Sequence, residues 1–195
     1  MSQADTTFTA MRDAKREDYQ VIGKHSLEFF LGLPSRILTH LSILAGDTGG
    51  YAVDRLTHSL QTATRAQRDG RDDEYVVCAL LHDIGDTLAS ANHSDLAATI
   101  LEPFVSEKNL WIVRQHAIFQ GYYFFHHLGL DRDMRDRFRD HEWFRDCAEF
   151  CEKYDQNSFD PEYDTLPLEA FEPAVHEVFG APKKSIYMPD SAAAG

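Results

Sequence analysis

Apolar residues recur every three or four positions along most of the chain, which is the spacing of an amphipathic helix. Before residue 46 they form two groups on either side of a break at Gly32 and Pro34: Leu27, Phe30 and Leu31, then Ile37, Leu38, Leu41 and Leu44. Alternating patterns typical of strands are scarce. The pattern therefore predicts an all-α protein.

The rest of the chain is predicted to form helices separated by short charged or glycine-containing loops. Their expected ranges are 51–67, 74–84, 94–104, 106–125, 134–138, 143–154 and 168–179. The inner face of the first of these is expected to consist of Val53, Leu56, Leu60 and Ala63. Asp72 or Asp73 is expected to cap the second. Gly85 is expected to end it, with a loop through Asn92 after it.

A chain of 195 residues that is 43% hydrophobic is long enough for one domain with a substantial core. Residues 1–45 are predicted to form N-terminal helices that pack on the core. Residues 46–180 are predicted to form that core, and residues 181–195 a loosely held tail. No internal repeat is visible.

Charge and composition narrow the expected partners. The net charge of −13 repels phosphate backbones and anionic lipids, so neither nucleic acid nor a membrane is an expected partner. The polar start and the lack of an apolar run of about 18 residues favour a cytoplasmic protein. The three cysteines, Cys78, Cys147 and Cys151, are expected to be reduced and buried rather than to form disulfides or half of a zinc site.

Histidines and aspartates occur in an order that suits a site for two metal ions. The candidate ligands are His58, His82, Asp83, His93, His116 and Asp155. Each residue alone has an ordinary reading as a packed, capping or surface side chain. Together they offer four imidazoles and two carboxylates, the ligand types that borderline and hard cations prefer.

The two ions are expected to share one carboxylate, because cations roughly 3.5–4 Å apart need a bridging group. Asp83 is the natural bridge. His82, with His58 and Asp155, is predicted to bind one ion, and His93 and His116 the other. The remaining histidines are expected to have packing or surface roles: His25, His40, His126, His127, His141 and His176.

These residues and their contexts resemble the HD-domain superfamily, whose members bind one or two metals within a helical bundle and are mostly phosphohydrolases. The resemblance covers roughly residues 50–179. The stretches DRLTHSLQTA at 54–63 and ALLHDIG at 79–85, and the added His93 and His116, look most like the mixed-valent di-iron oxygenases. That subset includes myo-inositol oxygenase and enzymes that cleave 1-hydroxyphosphonates.

The resemblance implies a single-domain HD-type bundle with a central dinuclear site that holds two iron ions, Fe(II)/Fe(III). It implies that O₂ and a small-molecule substrate are the partners, and that a C–P bond is broken to give phosphate and a carboxylic acid. By the same resemblance, the catalytic residues are Asp83, Asp86 and Tyr51. The expected substrate contacts are Asp86, Gln120, Tyr51 and Glu152.

Some of these positions depart from the pattern of the phosphonate enzymes. Gln120 and Glu152 stand where basic contacts are expected, and Asp86 where a basic or imidazole residue is common. Acidic and aromatic residues together suit a quaternary ammonium, which suggests 1-hydroxy-2-(trimethylammonio)ethylphosphonate, cleaved to glycine betaine and phosphate. The candidates for an ammonium cage are Asp86, Glu28, Phe29, Tyr51, Phe119, Tyr122 and Tyr123.

Two other readings of the sequence stay open. The first is a metal-dependent phosphohydrolase acting on a nucleotide or phosphomonoester, in which metal-bound hydroxide attacks phosphorus. The second is a helical protein whose metals are structural. The sequence also leaves open the choice of iron or manganese, C–P or C–C cleavage, and the oligomeric state.

Overall fold

The computed structural model describes residues 6–188, and in that range the regular structure is helical without strands. The α-helices are α1 (Arg16–Leu31), α2 (Leu33–Leu41), α3 (Arg55–Arg68), α4 (Asp73–Leu81), α5 (Asp86–Ala89), α6 (His93–Leu101), α7 (Glu107–Phe124), α8 (Phe144–Lys153) and α9 (Glu172–Gly180). Short 3₁₀ helices are Met11–Asp13, Ser42–Leu44, Phe125–Leu128, Met134–Phe138, Asp155–Asn157 and Leu168–Ala170. The all-α prediction is confirmed. Residues 1–5 and 189–195, the latter being the end of the predicted tail, lie outside the described residues.

Helix α4 lies at the centre of the molecule. Every side chain from Tyr75 to Leu81 is buried, as expected for a helix that is apolar on all sides. Helices α3, α7 and α9 pack around it, and α6 and α8 pack on α7. Helix α8 contributes one apolar face at helical spacing, made of Cys147, Phe150, Cys151 and Tyr154. All three cysteines are free and buried, as predicted.

Side-chain caps define where helices α3 and α4 begin. Asp54 accepts a hydrogen bond from the backbone N–H of Thr57 at the start of α3, and Asp72 accepts one from Tyr75 at the start of α4. Of the two predicted caps of α4, Asp72 is therefore the one used. Gly46, Gly49 and Gly50 have positive φ angles, so the chain before Asp54 forms a loop and α3 begins later than predicted.

The inner face of α3 differs from the predicted one. Ala63 is buried in the helix and Val53 before it, but Leu56 and Leu60 are only half-buried at the edge of the core. The residues that α3 buries are largely polar: His58, Ser59, Gln61, Thr62 and Thr64, with Ala63 and Ala66. Of these, His58 lies at the candidate site, whereas Gln61 donates to the carbonyl oxygen of Asp160 and Thr64 to that of Leu60. An apolar pattern could not identify buried residues of this kind.

The two N-terminal helices pack differently from each other. Helix α2 buries Ile37, Leu38 and Leu41 against the core. Helix α1 buries none of its residues, and Leu27 and Leu31 are 58% and 62% exposed. Helix α1 therefore lies largely exposed and contacts the core through the half-buried Phe30 near its end.

No single helix between residues 6 and 188 is long and apolar enough to cross a membrane. Only Arg16–Leu31 and Leu33–Leu44 taken together, with a 43° bend between them, meet the length and composition requirement.

Candidate metal centre

The six predicted ligands come from separate elements and meet at the centre of the bundle. They are His58 on α3, His82 and Asp83 directly after α4, His93 at the start of α6, His116 on α7 and Asp155 directly after α8. The side chains of His58, His82, His116 and Asp155 are buried. Asp83 and His93 are partly exposed, at 17% and 24%. The cluster is therefore closed on one side and open on the other.

One half of the cluster is formed by His58, His82 and Asp155. The Nε2 atom of His58 lies 3.2 Å from Nε2 of His82 and 3.2 Å from Oδ1 of Asp155. Asp83 closes this half, with its Oδ2 atom 3.3 Å from Nε2 of His82 and 3.5 Å from Nε2 of His58. Hereafter this group is the buried half.

The other half faces the opposite oxygen of Asp83. Oδ1 of Asp83 lies 3.3 Å from Nε2 of His93 and 3.2 Å from Nε2 of His116. The two imidazole Nε2 atoms are 3.3 Å apart. We call His93 and His116 the open half. Each oxygen of Asp83 thus serves a different half, which is the arrangement of a carboxylate that bridges two cations.

The tautomers of the histidines follow from their other ring nitrogens. Nδ1 lies 3.0 Å from the carbonyl oxygen of Ser158 in His58, 2.8 Å from that of Ala79 in His82, and 2.6 Å from that of Val113 in His116. A carbonyl oxygen only accepts, so Nδ1 carries the hydrogen and Nε2 of the neutral ring presents its lone pair.

This donor set fits metal ions. The imidazole lone pairs and the carboxylate oxygens converge on the same small volume, where each would repel the others without a cation between them. In addition, Oδ2 of Asp155 is buried and has no hydrogen-bond partner, which is unusual for a buried carboxylate. A divalent cation at the buried half would satisfy it.

Local sequence explains how neighbouring residues both face the centre. Side chains of adjacent residues within a helix point about 100° apart, but α4 ends at Leu81 and His82 is its cap, so His82 and Asp83 are free to turn inward together. Gly85 then allows a close approach, because a Cβ atom there would lie 2.3 Å from the backbone oxygen of His93. The glycine thus brings His93 beside Asp83.

The charges in the cluster attract protons and metal ions alike. Burial lowers the pKa of His58, but its hydrogen bond to Asp155 and the charges of Asp155 and Asp83 outweigh this effect and raise the pKa to about 9. Burial raises the pKa of Asp83, and the neighbouring His82 and His116 overcome this and hold it well below the usual range. A cation would compete with protons for this negative region.

A cavity of about 420 Å³ opens onto the centre. Its wall next to the buried half is aromatic, because Tyr51 stacks on Phe159 at 4.8 Å and Phe159 stacks on the ring of His58 at 4.5 Å. Tyr123 and Phe124 also line it. The cavity is large enough for a small organic molecule in contact with the open half.

Three of the four predicted substrate contacts line the cavity, and one does not. Tyr51, Asp86 and Gln120 lie in its wall. Glu152 lies outside it and is exposed, because α8 turns its Cys151 face to the core and Glu152 the other way. Its predicted substrate contact is therefore not supported by its position.

The predicted ammonium cage is mostly dispersed. Tyr51, Tyr123 and Asp86 line the cavity, whereas Glu28 and Phe29 are exposed on α1. Phe119 is fully buried beside Trp111. Tyr122 is covered by two guanidinium groups, those of Arg132 at 4.2 Å and Arg135 at 3.6 Å from its ring centroid, and does not line the cavity.

Sequence reasoning missed several cavity residues, above all Arg55, Gln156 and Phe159. For Arg55 a signal was present, because it lies three residues before His58 on α3 and so shares its face. The histidines that were expected to have other roles lie outside the cluster. His141, for example, stacks on Trp111 at 4.1 Å.

A family model of the HD domain matches residues 55–143. The matched segment, a little under half of the chain, is similar to the HD domain, and the all-α fold is consistent with an HD-type helical bundle. The match includes five of the six candidate ligands and ends before Asp155. Proteins with this domain are typically metal-dependent enzymes, among them hydrolases and oxygenases. No curated protein matches the chain.

Proposed function

We propose that the protein is a mixed-valent di-iron oxygenase that cleaves the C–P bond of a 1-hydroxyalkylphosphonate. The main support for the proposal is the position of Asp83, because its two carboxylate oxygens face two different pairs of histidines. A site for a single metal ion would need only the buried half. His93 and His116 supply ligands for a second ion beside the cavity.

The ligand types are consistent with iron. Imidazole and carboxylate together suit Fe as well as Mn and Zn, and an open half with two histidines leaves positions for substrate and O₂. When bound, an Fe(II)/Fe(III) pair would supply the redox chemistry that amino-acid side chains lack. The metal-dependent character rests on the HD domain, and the iron identity is part of the proposal.

The proposed reaction balances with O₂ as the only oxidant. A compound R–CH(OH)–PO₃H₂ and O₂ give R–COOH and H₃PO₄. The C–H and C–P bonds of the carbinol carbon break, the carbon gains one oxygen and phosphorus gains the other. O₂ takes up the four electrons that this oxidation releases, so no separate reductant is consumed.

The chain's own residues would bind and orient the substrate. Four carboxylates and one guanidinium line the cavity: Asp54, Asp83, Asp86, Asp155 and Arg55. Two iron ions would more than offset this negative charge, so the hydroxyl and phosphonate groups would lie at the open half. Gln120, whose buried Oε1 atom has no hydrogen-bond partner, offers a polar contact nearby.

The aromatic wall suits the other end of the substrate. Tyr51 and Phe159 present stacked rings to the cavity, and a trimethylammonium group gains from contact with such rings. They also exclude water from the site. We therefore favour 1-hydroxy-2-(trimethylammonio)ethylphosphonate as substrate and glycine betaine as product, with the cation at the aromatic wall. The carboxylate of Asp86 already contacts Arg55 and His93.

Electron paramagnetic resonance at low temperature tests the proposal. Protein is loaded anaerobically with iron, partly oxidised, and measured with and without the trimethylammonio compound. We expect a coupled Fe(II)/Fe(III) signal that shifts when the compound is added, followed by consumption of one O₂ for each phosphate released. The aminoethyl analogue without the methyl groups is the matched control and should bind more weakly.

The main alternative is a metal-dependent phosphohydrolase, which the match to the HD domain supports equally well. It would release phosphate from phosphomonoesters or nucleotides without consuming O₂, and it would be active with manganese or magnesium. Protein that holds no coupled iron pair and shows this activity would overturn the oxygenase proposal.

A further inference from the structure

Both carboxylate oxygens of Asp86 are engaged at the edge of the metal centre. Oδ1 lies 3.2 Å from Nδ1 of His93, and Oδ2 forms an ion pair with Nη1 of Arg55. The same guanidinium group reaches Asp47, with its Nε atom 3.3 Å from Oδ2. The side chain of Asp86 is only 10% exposed, so its carboxylate interacts mainly with His93 and Arg55 rather than with solvent.

His93 is held differently from the other candidate histidines. Nδ1 of His58, His82 and His116 each faces a backbone carbonyl oxygen, which secondary structure keeps in place. Nδ1 of His93 faces a side chain, and His93 is the most exposed of the four. Its orientation thus depends on Asp86, and the position of Asp86 depends on Arg55.

We propose that Arg55 and Asp86 are positioning residues for the open half of the metal centre. Arg55 holds the carboxylate of Asp86 against Nδ1 of His93, and this contact aims Nε2 of His93 at Oδ1 of Asp83. The inference rests on the dinuclear centre of the proposed function and replaces the substrate-contact role predicted for Asp86 with a role behind the ligand.

The arrangement also links the centre to the cavity wall. Asp47 belongs to the loop that carries Tyr51, and the backbone N–H of Arg55 donates to the carbonyl oxygen of Asp47 at 3.1 Å. Arg55 therefore contacts both the loop at the cavity and the carboxylate behind His93. Carboxylates in this position orient the histidine and make it a better ligand, and their loss typically weakens metal binding about 10- to 100-fold.

The test is titration of the full-length protein with Co²⁺, which reports ligand geometry through its visible absorption, combined with equilibrium dialysis for stoichiometry. We expect two Co²⁺ ions per wild-type chain. In Asp86→Ala the first ion should bind with wild-type affinity and the second about 10-fold or more weakly. Arg55→Met should also weaken binding of the second ion, and Arg55→Lys should restore part of the lost affinity.

A double variant separates positioning from a general structural effect. If Arg55 acts through Asp86, then Arg55→Met combined with Asp86→Ala should bind the second ion no more weakly than Asp86→Ala alone. Arg68→Met is the matched control, since Arg68 lies on the same helix and pairs with the exposed Asp164 at 2.7 Å. It should bind both ions as the wild type does.

The outcomes distinguish this inference from the proposed function. Wild-type protein that binds two ions, with unchanged second-site affinity in Asp86→Ala, would overturn the positioning role alone. Equal weakening of both ions in Asp86→Ala would also overturn it, since the effect would not be specific to His93. Wild-type protein that binds no Co²⁺ would refute the dinuclear centre itself and the proposed function with it.

Discussion

The buried and open halves of the candidate metal centre offer the same ligand types but are built differently. In the buried half, His58 and His82 are fixed by backbone carbonyl oxygens, and Asp155 lies beside them out of contact with solvent. In the open half, His93 is fixed by the side chain of Asp86 and borders the cavity. His116, the other histidine of the open half, is buried and faces the backbone carbonyl oxygen of Val113, so His93 is the one candidate histidine whose ring is positioned by a side chain rather than by the backbone.

The two halves are therefore expected to have different functions. A buried half with rigid ligands would hold its ion permanently and contribute to the stability of the bundle. An open half beside a cavity leaves coordination positions for exchangeable molecules. Asp83 connects the two halves, so its replacement should affect both, whereas replacements on either side of it should affect one.

The largest effect is expected from Asp83→Ala, which removes the carboxylate whose two oxygens face the two halves. Binding of both ions should weaken by at least 100-fold, because each half loses a charged ligand and the attraction that it provides. Elemental analysis of protein purified with excess metal measures this directly. Asp95→Asn, on the exposed face of α6, is the control and should retain both ions. Loss of only one ion in Asp83→Ala would show that the carboxylate does not bridge.

His58→Ala and His93→Ala should separate the halves by their effect on folding. His58→Ala removes the nearest partner of the buried Asp155 carboxylate and leaves it Nε2 of His82 at 3.8 Å, which is expected to cost about 3 kcal/mol of unfolding free energy. His93→Ala affects a partly exposed side chain and should cost less than about 1 kcal/mol. Urea unfolding in the presence of a chelator measures both values without a metal contribution. Equal losses in the two variants would contradict the distinction between a buried and an open half.

Gly85→Ala should damage the open half alone. The added Cβ would lie 2.3 Å from the backbone oxygen of His93, so the start of α6 must move away from Asp83. We expect about 10-fold weaker binding of the second ion, measured by titration with Co²⁺, and little change in the first. Gly23→Ala is the control, because its Cβ would meet no atom within 4 Å and α1 carries no ligand.

The sequence was sufficient to predict the fold class and to identify six candidate ligands that the structure brings together, and the reasons are local. Helical spacing and capping residues such as Asp72 are short-range signals, and the identity and order of His58, His82 and His116 do not depend on the path of the chain between them. The exposure of α1 could not be predicted, because Leu27 and Leu31 have helical spacing whether or not a partner covers them.

Long-range pairing explains what else was missed. Arg55 and Asp86 are 31 residues apart, and nothing in either local sequence indicates that they form an ion pair. Without that pair, Asp86 looked like a free carboxylate available to a cationic substrate. The substrate contact expected of Glu152 is unsupported for a related reason. The direction of its side chain depends on which face of α8 packs on the core.

The smallest effect is expected from Glu74→Gln, because Glu74 lies away from both halves of the candidate metal centre. Burial raises the pKa of Glu74, but hydrogen bonds from Lys183, Ser106 and Asn109 outweigh this and lower it to about 2. Because the folded-state pKa is below the usual glutamate value of 4.5, the charged carboxylate contributes stability above about pH 4.5, and this contribution is lost as the pH falls toward 2. Replacement should cost about 1 kcal/mol at pH 7 and flatten that part of the pH profile of unfolding. Both Co²⁺ affinities should stay unchanged at pH 7, and a selective loss of the second ion would show that the open half also depends on contacts outside the Arg55–Asp86 pair.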